Sequence, residues 1–89
     1  MIEQEKSNTV TIDATQCRMA RAALGLGVRD LAIAADMSPN TIARLERSEV
    51  LKPATLAAIR AALEIRGIQF LEGGQVATGP GVAISERKG

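Results

Sequence analysis

The chain has 89 residues, the size of one small domain, and 11 basic against 10 acidic side chains leave a formal charge of +1, too even a balance to imply a nucleic-acid partner by itself. It has no histidine and a single cysteine, Cys17, which excludes an intrachain disulfide and a Cys/His zinc site, so no metal or cofactor is expected. An apolar run of roughly 18 residues and a signal-peptide pattern are both missing, so membrane insertion and secretion are not expected and a cytoplasmic location is.

Residues 1–12 read as a polar N-terminal tail, in which Thr9-Val10-Thr11-Ile12 alternates and is β-branched enough for a short strand or an ordered coil. A domain of helices follows over residues 13–66. Asp13 is placed to cap the first helix, with Gln16 reaching back to the cap amide. Cys17, Ala20, Arg21 and Leu24 share one face of that helix, and Gly25 and Gly27 stop it. A second helix spans Val28 to Ala35 with Leu31, Ala32 and Ala35 inward. Asp36 occupies a turn that needs positive φ, which Asp tolerates better than most residues. Ser38 caps a third helix with Pro39 at its first position, and Met37 and Ile42 are spaced as a hydrophobic staple. These two helices and their tight turn have the layout of a helix-turn-helix.

Ile42 and Leu45 point to the core, leaving Asn40, Thr41, Arg44 and Arg47 on the outer side. Ser48 to Lys52 reads as a loop, and Pro53 opens a fourth helix with an apolar stripe of Leu56, Ile59 and Leu63 that Gly67 ends. Over residues 67–86, Ile68-Gln69-Phe70-Leu71 and Val82-Ala83-Ile84 are strand candidates for a hairpin, with the Gly-rich stretch Glu72 to Gly81 as its loop. That stretch lacks the Gly-Lys-Ser/Thr ending of a phosphate-binding loop. Residues 87–89 form a short tail. The core is built from Leu, Ile, Val and Ala with Phe70 as the one aromatic, so it is small and gains from oligomerisation.

Residues 15 to 64 resemble the lambda-repressor-like, or Xre/Cro-type, helix-turn-helix family. The resemblance rests on Arg21-Ala22-Ala23-Leu24-Gly25, on Asp30-Leu31-Ala32, on Ser38-Pro39-Asn40-Thr41-Ile42 with Leu45-Glu46, and on Ala54-Thr55-Leu56. The continuation Gly67-Ile68-Gln69-Phe70-Leu71, followed by Gly79-Pro80-Gly81-Val82, is similar to a compact bacterial subgroup in which a hairpin replaces the usual fifth helix. The implied fold is mainly α, a four-helix bundle followed by a short β-hairpin. The implied function is a sequence-specific, repressor-like transcriptional regulator that binds double-stranded DNA as a homodimer on a pseudo-palindrome and associates with the nucleoid when bound.

A helix fits the major groove, and the residues near the N-terminus of a recognition helix reach base edges. Ser38, Asn40, Thr41 and Arg44 hold those positions here, with Arg44 suited to guanine and Asn40 to adenine. Phosphate contacts are expected from Arg29, from the amides at the start of the second helix including that of Val28, and from Arg47 and Lys52. The family often opens this helix with Gln, so Val28 removes one expected contact. Arg21 and Glu46 match a family pair that bridges helices one and three. Phe70, Val82 and Ile84 are the expected dimer contacts.

Cys17 reads as a small core residue rather than a thiol sensor. No catalytic constellation can be assembled, so an enzyme is not expected. The alternative function is an antitoxin or adaptor whose helix-turn-helix fold mainly binds another protein. It is motivated by Ile33, an apolar residue on a helix surface that is normally polar, by Val28 and by the near-neutral charge.

Overall fold

The computed structural model describes residues 12–71 and 76–78. It is mainly helical, with four helices, α1 (Ala14–Leu24), α2 (Val28–Ala35), α3 (Pro39–Glu46) and α4 (Pro53–Ile65), followed by a two-stranded antiparallel hairpin of β1 (Ile68–Phe70) and β2 (Val76–Thr78).

Local chemistry sets the helix starts. The Gln16 amide donates to Asp13 Oδ1 at 2.8 Å and the Asp13 amide donates to Gln16 Oε1 at 3.1 Å, a reciprocal cap that satisfies two amides at the start of α1. Ile12, just ahead of the cap, and Cys17, one turn into the helix, are both buried in the same core and staple the chain there. Ile12 therefore belongs to the folded unit and not to a tail, and it lies in no strand. Thr9 to Thr11 lie outside the described residues. At α3 the Thr41 amide donates to Ser38 Oγ and Pro39 occupies the first position, as its fixed φ favours.

The first three helices end in one way. Gly25, Asp36 and Ser48 take positive φ of 71°, 60° and 66°. The amide after each then folds back on the helix: Leu26 to the Arg21 carbonyl, Met37 to the Ala32 carbonyl and Glu49 to the Arg44 carbonyl. This is the Schellman closure, which satisfies carbonyls that the helix end would leave open. Helix α4 ends at Gly67, whose φ of 101° is open to glycine and costly for other residues.

The core lies where the four helices meet. Leu31 and Ala32 of α2, Ile42 and Leu45 of α3, Ile59 and Leu63 of α4 and Cys17 and Ala20 of α1 are buried together with Ile12 and Ile68. Burying each Leu or Ile side chain contributes about 1.5–3 kcal/mol. Helix α2 packs on α3 and α4, while β1 lies against α4 and β2 against α1, so the hairpin covers the side of the bundle formed by α1 and α4.

The hairpin corrects one expectation. The strand that pairs with Ile68–Phe70 is Val76–Thr78, within the stretch expected to be the loop, with Ile68 opposite Thr78 and Phe70 opposite Val76. A five-residue connection closes this hairpin, an ordinary length, whereas pairing with Val82–Ile84 would need twice that and a larger closure entropy. Val82 and Ile84 lie outside the described residues.

Candidate nucleic-acid interface

Helix α3 is held to the bundle on one side and exposed on the other. Ile42 and Leu45 anchor the inner side, and Glu46 adds an ion pair at its last turn. Arg21 Nε and Nη2 donate to Glu46 Oε2 and Oε1, both at 2.8 Å, a two-bond fork joining α1 to α3. Arg21 also donates through Nη1 to the Leu26 carbonyl, which fixes the guanidinium plane. The Cys17 thiol donates to Glu46 Oε2 at 3.2 Å, and Arg18 Nη1 donates to the Glu46 carbonyl at the C-terminal end of α3. Burial pushes the Glu46 carboxyl up, but the hydrogen bonds from Arg21 and Cys17 and the charges of Arg21 and Arg18 outweigh it and hold it below the usual carboxylate range. Burial, then the hydrogen bond to Glu46 and its charge, push the Cys17 thiol up to about 12, so this cysteine is an inert core residue with one polar contact.

The outer side carries the expected readers. Ser38 and Asn40 are exposed, and Thr41 and Arg44 are half-exposed on the same flank of α3. Ser38 Oγ lies 3.0 Å from Thr41 Oγ1 as well as accepting the Thr41 amide, so these two hydroxyls are ordered by the cap itself. Asn40, one residue into the helix, has no partner among the described residues and leaves its whole amide edge open.

The expected phosphate contacts are found in two different states. Arg29 is exposed on α2 and Lys52 is exposed at the start of α4, and neither is paired with an acid among the described residues. Lys52 joins Thr41, Arg44 and Thr55 in a polar cleft of about 360 Å³ between α3 and the N-terminus of α4, an end with no side-chain cap. Helix N-termini favour anions, so the cleft has the sign of charge that a phosphate needs. Val28 is half-buried against the core, and its amide stands at the first position of α2. The Asp30 carboxylate accepts the Gly27 amide at 2.8 Å and closes part of that end.

Arg47 and Arg44, by contrast, are both engaged by Glu49. Arg44 Nε donates to Glu49 Oε1 at 2.9 Å, and Arg47 Nε and Nη2 donate to Oε2 at 3.2 and 3.0 Å. Their hydrogen bonds, Arg44 first and then Arg47, hold the Glu49 carboxyl below the usual carboxylate range. Sequence reasoning did not single out Glu49. The signal was an acid five residues beyond Arg44 and two beyond Arg47, which becomes a contact only because Ser48 turns the chain back at positive φ.

Of the expected dimer contacts, Phe70 is half-buried at the edge of the core, and the Arg60 guanidinium lies 4.8 Å above its ring. Among the described residues four large apolar side chains are exposed: Met19 on α1 at 38%, Ile33 on α2 at 79%, Val50 in the loop after α3 at 93% and Ile65 at the end of α4 at 81%. Among the described residues no three His, Cys, Asp or Glu side chains are grouped to hold a metal ion, and no helix is long and apolar enough to cross a membrane. Compared with known proteins, the chain matches no family model, and no curated protein matches it in sequence.

Proposed function

We propose that this protein is a sequence-specific DNA-binding transcriptional regulator of the lambda-repressor-like type, repressor-like in action, cytoplasmic, and dimeric on a pseudo-palindromic site. One observation carries the reading: α3 is pinned through Glu46 and Arg21 on its inner side while Ser38, Asn40, Thr41 and Arg44 stand together on its open flank. A rigid helix with polar side chains near its N-terminus is what major-groove reading requires, because base-edge hydrogen bonds demand a fixed register. Lys52 and Arg47 lie beside that flank and Arg29 is exposed at the start of α2, positive charges that the overall sum of +1 does not reveal. Binding, and no chemical step, is the role this arrangement supports.

A second copy supplies what one domain lacks. One α3 reads few bases, whereas two in a dimer read half-sites about 34–36 Å apart. The hairpin, with Phe70 at its edge, is the surface we assign to that contact. The exposure of Ile33 favours a second reading, an antitoxin or adaptor that binds another protein through α2.

The test is selection of bound duplexes from a random DNA pool at a stated salt concentration, followed by binding of the Arg44→Ala variant to the selected site. The expected outcome is enrichment of a two-fold symmetric sequence and a loss of about 1–3 kcal/mol in the variant, concentrated at one base position. A pool that yields no consensus moves the assignment to the protein-binding reading.

A further inference from the structure

Glu49 sits inside the charge pattern of the interface with the wrong sign for it. One carboxylate oxygen takes Arg44 and the other takes Arg47, so a single anion bridges two guanidinium groups. This is the arrangement in which a backbone phosphate binds paired arginines. We propose that Glu49 is an affinity-setting residue of the DNA interface, which holds Arg44 and Arg47 in the free protein in place of the base edge and the phosphate they contact in DNA, and must be displaced when DNA binds. The inference rests on the DNA-binding reading above.

Two features make this more than a surface ion pair that happens to form. The backbone of Glu49 is fixed: its amide donates to the Arg44 carbonyl at 3.0 Å and Ser48 before it is held at φ 66°, so the carboxylate is delivered to the arginines by the closure of α3. The carboxylate also lies beside the anion-attracting cleft of Thr41, Arg44, Lys52 and Thr55, since Arg44 lines that cleft and is bound to Glu49. With its side chain 43% exposed, the carboxylate can leave into water, where an exposed ion pair is weak.

The consequence is a lowered affinity for DNA. DNA of any sequence offers phosphates, and on such DNA the arginines must give up Glu49 for an equivalent partner while the carboxylate stays close to the backbone charge. The correct site adds base-edge contacts to Asn40 and Arg44, which non-specific DNA does not supply. Breaking the Glu49 pairs is required of the free protein before either DNA binds, so Glu49 lowers binding to all DNA alike, and a site that adds base-edge contacts offsets that loss.

The experiment compares wild type, Glu49→Gln and Glu49→Ala on the selected duplex and on an unrelated duplex of the same length, each over a range of salt. Glu64→Gln is the control. It removes the same charge from the far end of α4, about 14 Å along the helix from Thr55, where Glu64 pairs with Arg60. Expected is a tightening of about three- to tenfold on both duplexes for both Glu49 variants and a salt slope steeper by about 1, with Glu64→Gln close to wild type. Unchanged or weaker binding of the unrelated duplex by both Glu49 variants overturns the proposal, and so does an equal gain in Glu64→Gln. If wild type binds neither duplex, DNA binding that appears in the Glu49 variants supports the inference. Silence in all four proteins removes the DNA-binding reading and this inference together.

Discussion

Two carboxylates three residues apart, Glu46 and Glu49, each hold arginine at the end of α3, and they serve opposite ends. Glu46 has a side chain 11% exposed and binds Arg21 through a two-bond fork, with Cys17 on the same oxygen. Glu49 is largely open to water and divides its oxygens between two arginines on the outer flank. Hydrogen bonds from arginine hold both carboxyls below the usual range, yet burial opposes that strongly at Glu46 and only weakly at Glu49. The difference teaches that desolvation, not the number of hydrogen bonds, decides whether an ion pair is scaffold or surface. A desolvated pair cannot lose one member cheaply, whereas a hydrated one can exchange it.

The sharpest way to break this comparison is Glu46→Ala. It leaves the partly buried Arg21 guanidinium with the Leu26 carbonyl as its one remaining acceptor among the described residues, and it removes the partner of the Cys17 thiol. A fully buried pair loses about 3–5 kcal/mol on such a change; with both side chains partly solvated, about 2–4 kcal/mol is expected, read as a lower urea midpoint. A midpoint equal to that of wild type would show that Glu46 is no more structural than Glu49.

The same pair has a pH signature. The folded-state pKa of Glu46 lies below its ordinary 4.5, so in acid the unfolded chain binds the extra proton first. The stabilisation from this group is therefore complete above about 4.5 and is lost as the pH falls through the folded-state value. Glu46→Gln does not titrate, so the gap in urea midpoint between wild type and this variant should narrow below pH 4.5. Two parallel pH profiles would contradict the assignment.

A smaller effect separates the two roles of Ser38. Its hydroxyl caps α3 by accepting the Thr41 amide and also stands among the expected base readers. Ser38→Ala should cost about 1 kcal/mol of stability, the usual loss for such a cap. Ser38→Asn or Ser38→Asp restores a cap acceptor, so recovery of stability without recovery of DNA affinity would isolate the reading role.

The inner half of this comparison was legible in the sequence and the outer half was not. Asp13 with Gln16, Ser38 with Pro39, and Asp36 at positive φ are local signals, since each meets a need of the backbone within a few residues. They placed the first three helices, Pro53 and Gly67 placed the fourth, and the family resemblance placed Arg21 against Glu46. Ser48 gave no such signal: the third Schellman closure uses neither Gly nor Asn, so the loop read as featureless and Glu49 stayed invisible beside Arg44 and Arg47. Ile12 was missed because its alternation with Val10 read as part of a tail, although it stands to Cys17 as Met37 stands to Ile42, the spacing of a staple. Val76–Thr78 was missed because a three-residue strand within a Gly-rich stretch draws its stability from α1 and β1, and not from local preference.

The smallest expected effect lies on α2, at Ile33. At 79% exposure this side chain is set off from the core, so Ile33→Gln should leave the urea midpoint within about 0.5 kcal/mol of wild type. Its value lies in what else moves. If the hairpin forms the dimer contact, sedimentation and DNA affinity of the variant match wild type, and Ile33 belongs to the same hydrated class as Glu49. If the variant sediments as a monomer while its fold is intact, the apolar face of α2 is the dimer contact. Desolvation then takes place in the assembly, and a residue that looks as exposed as Glu49 in one chain acts, in two, as Glu46 does.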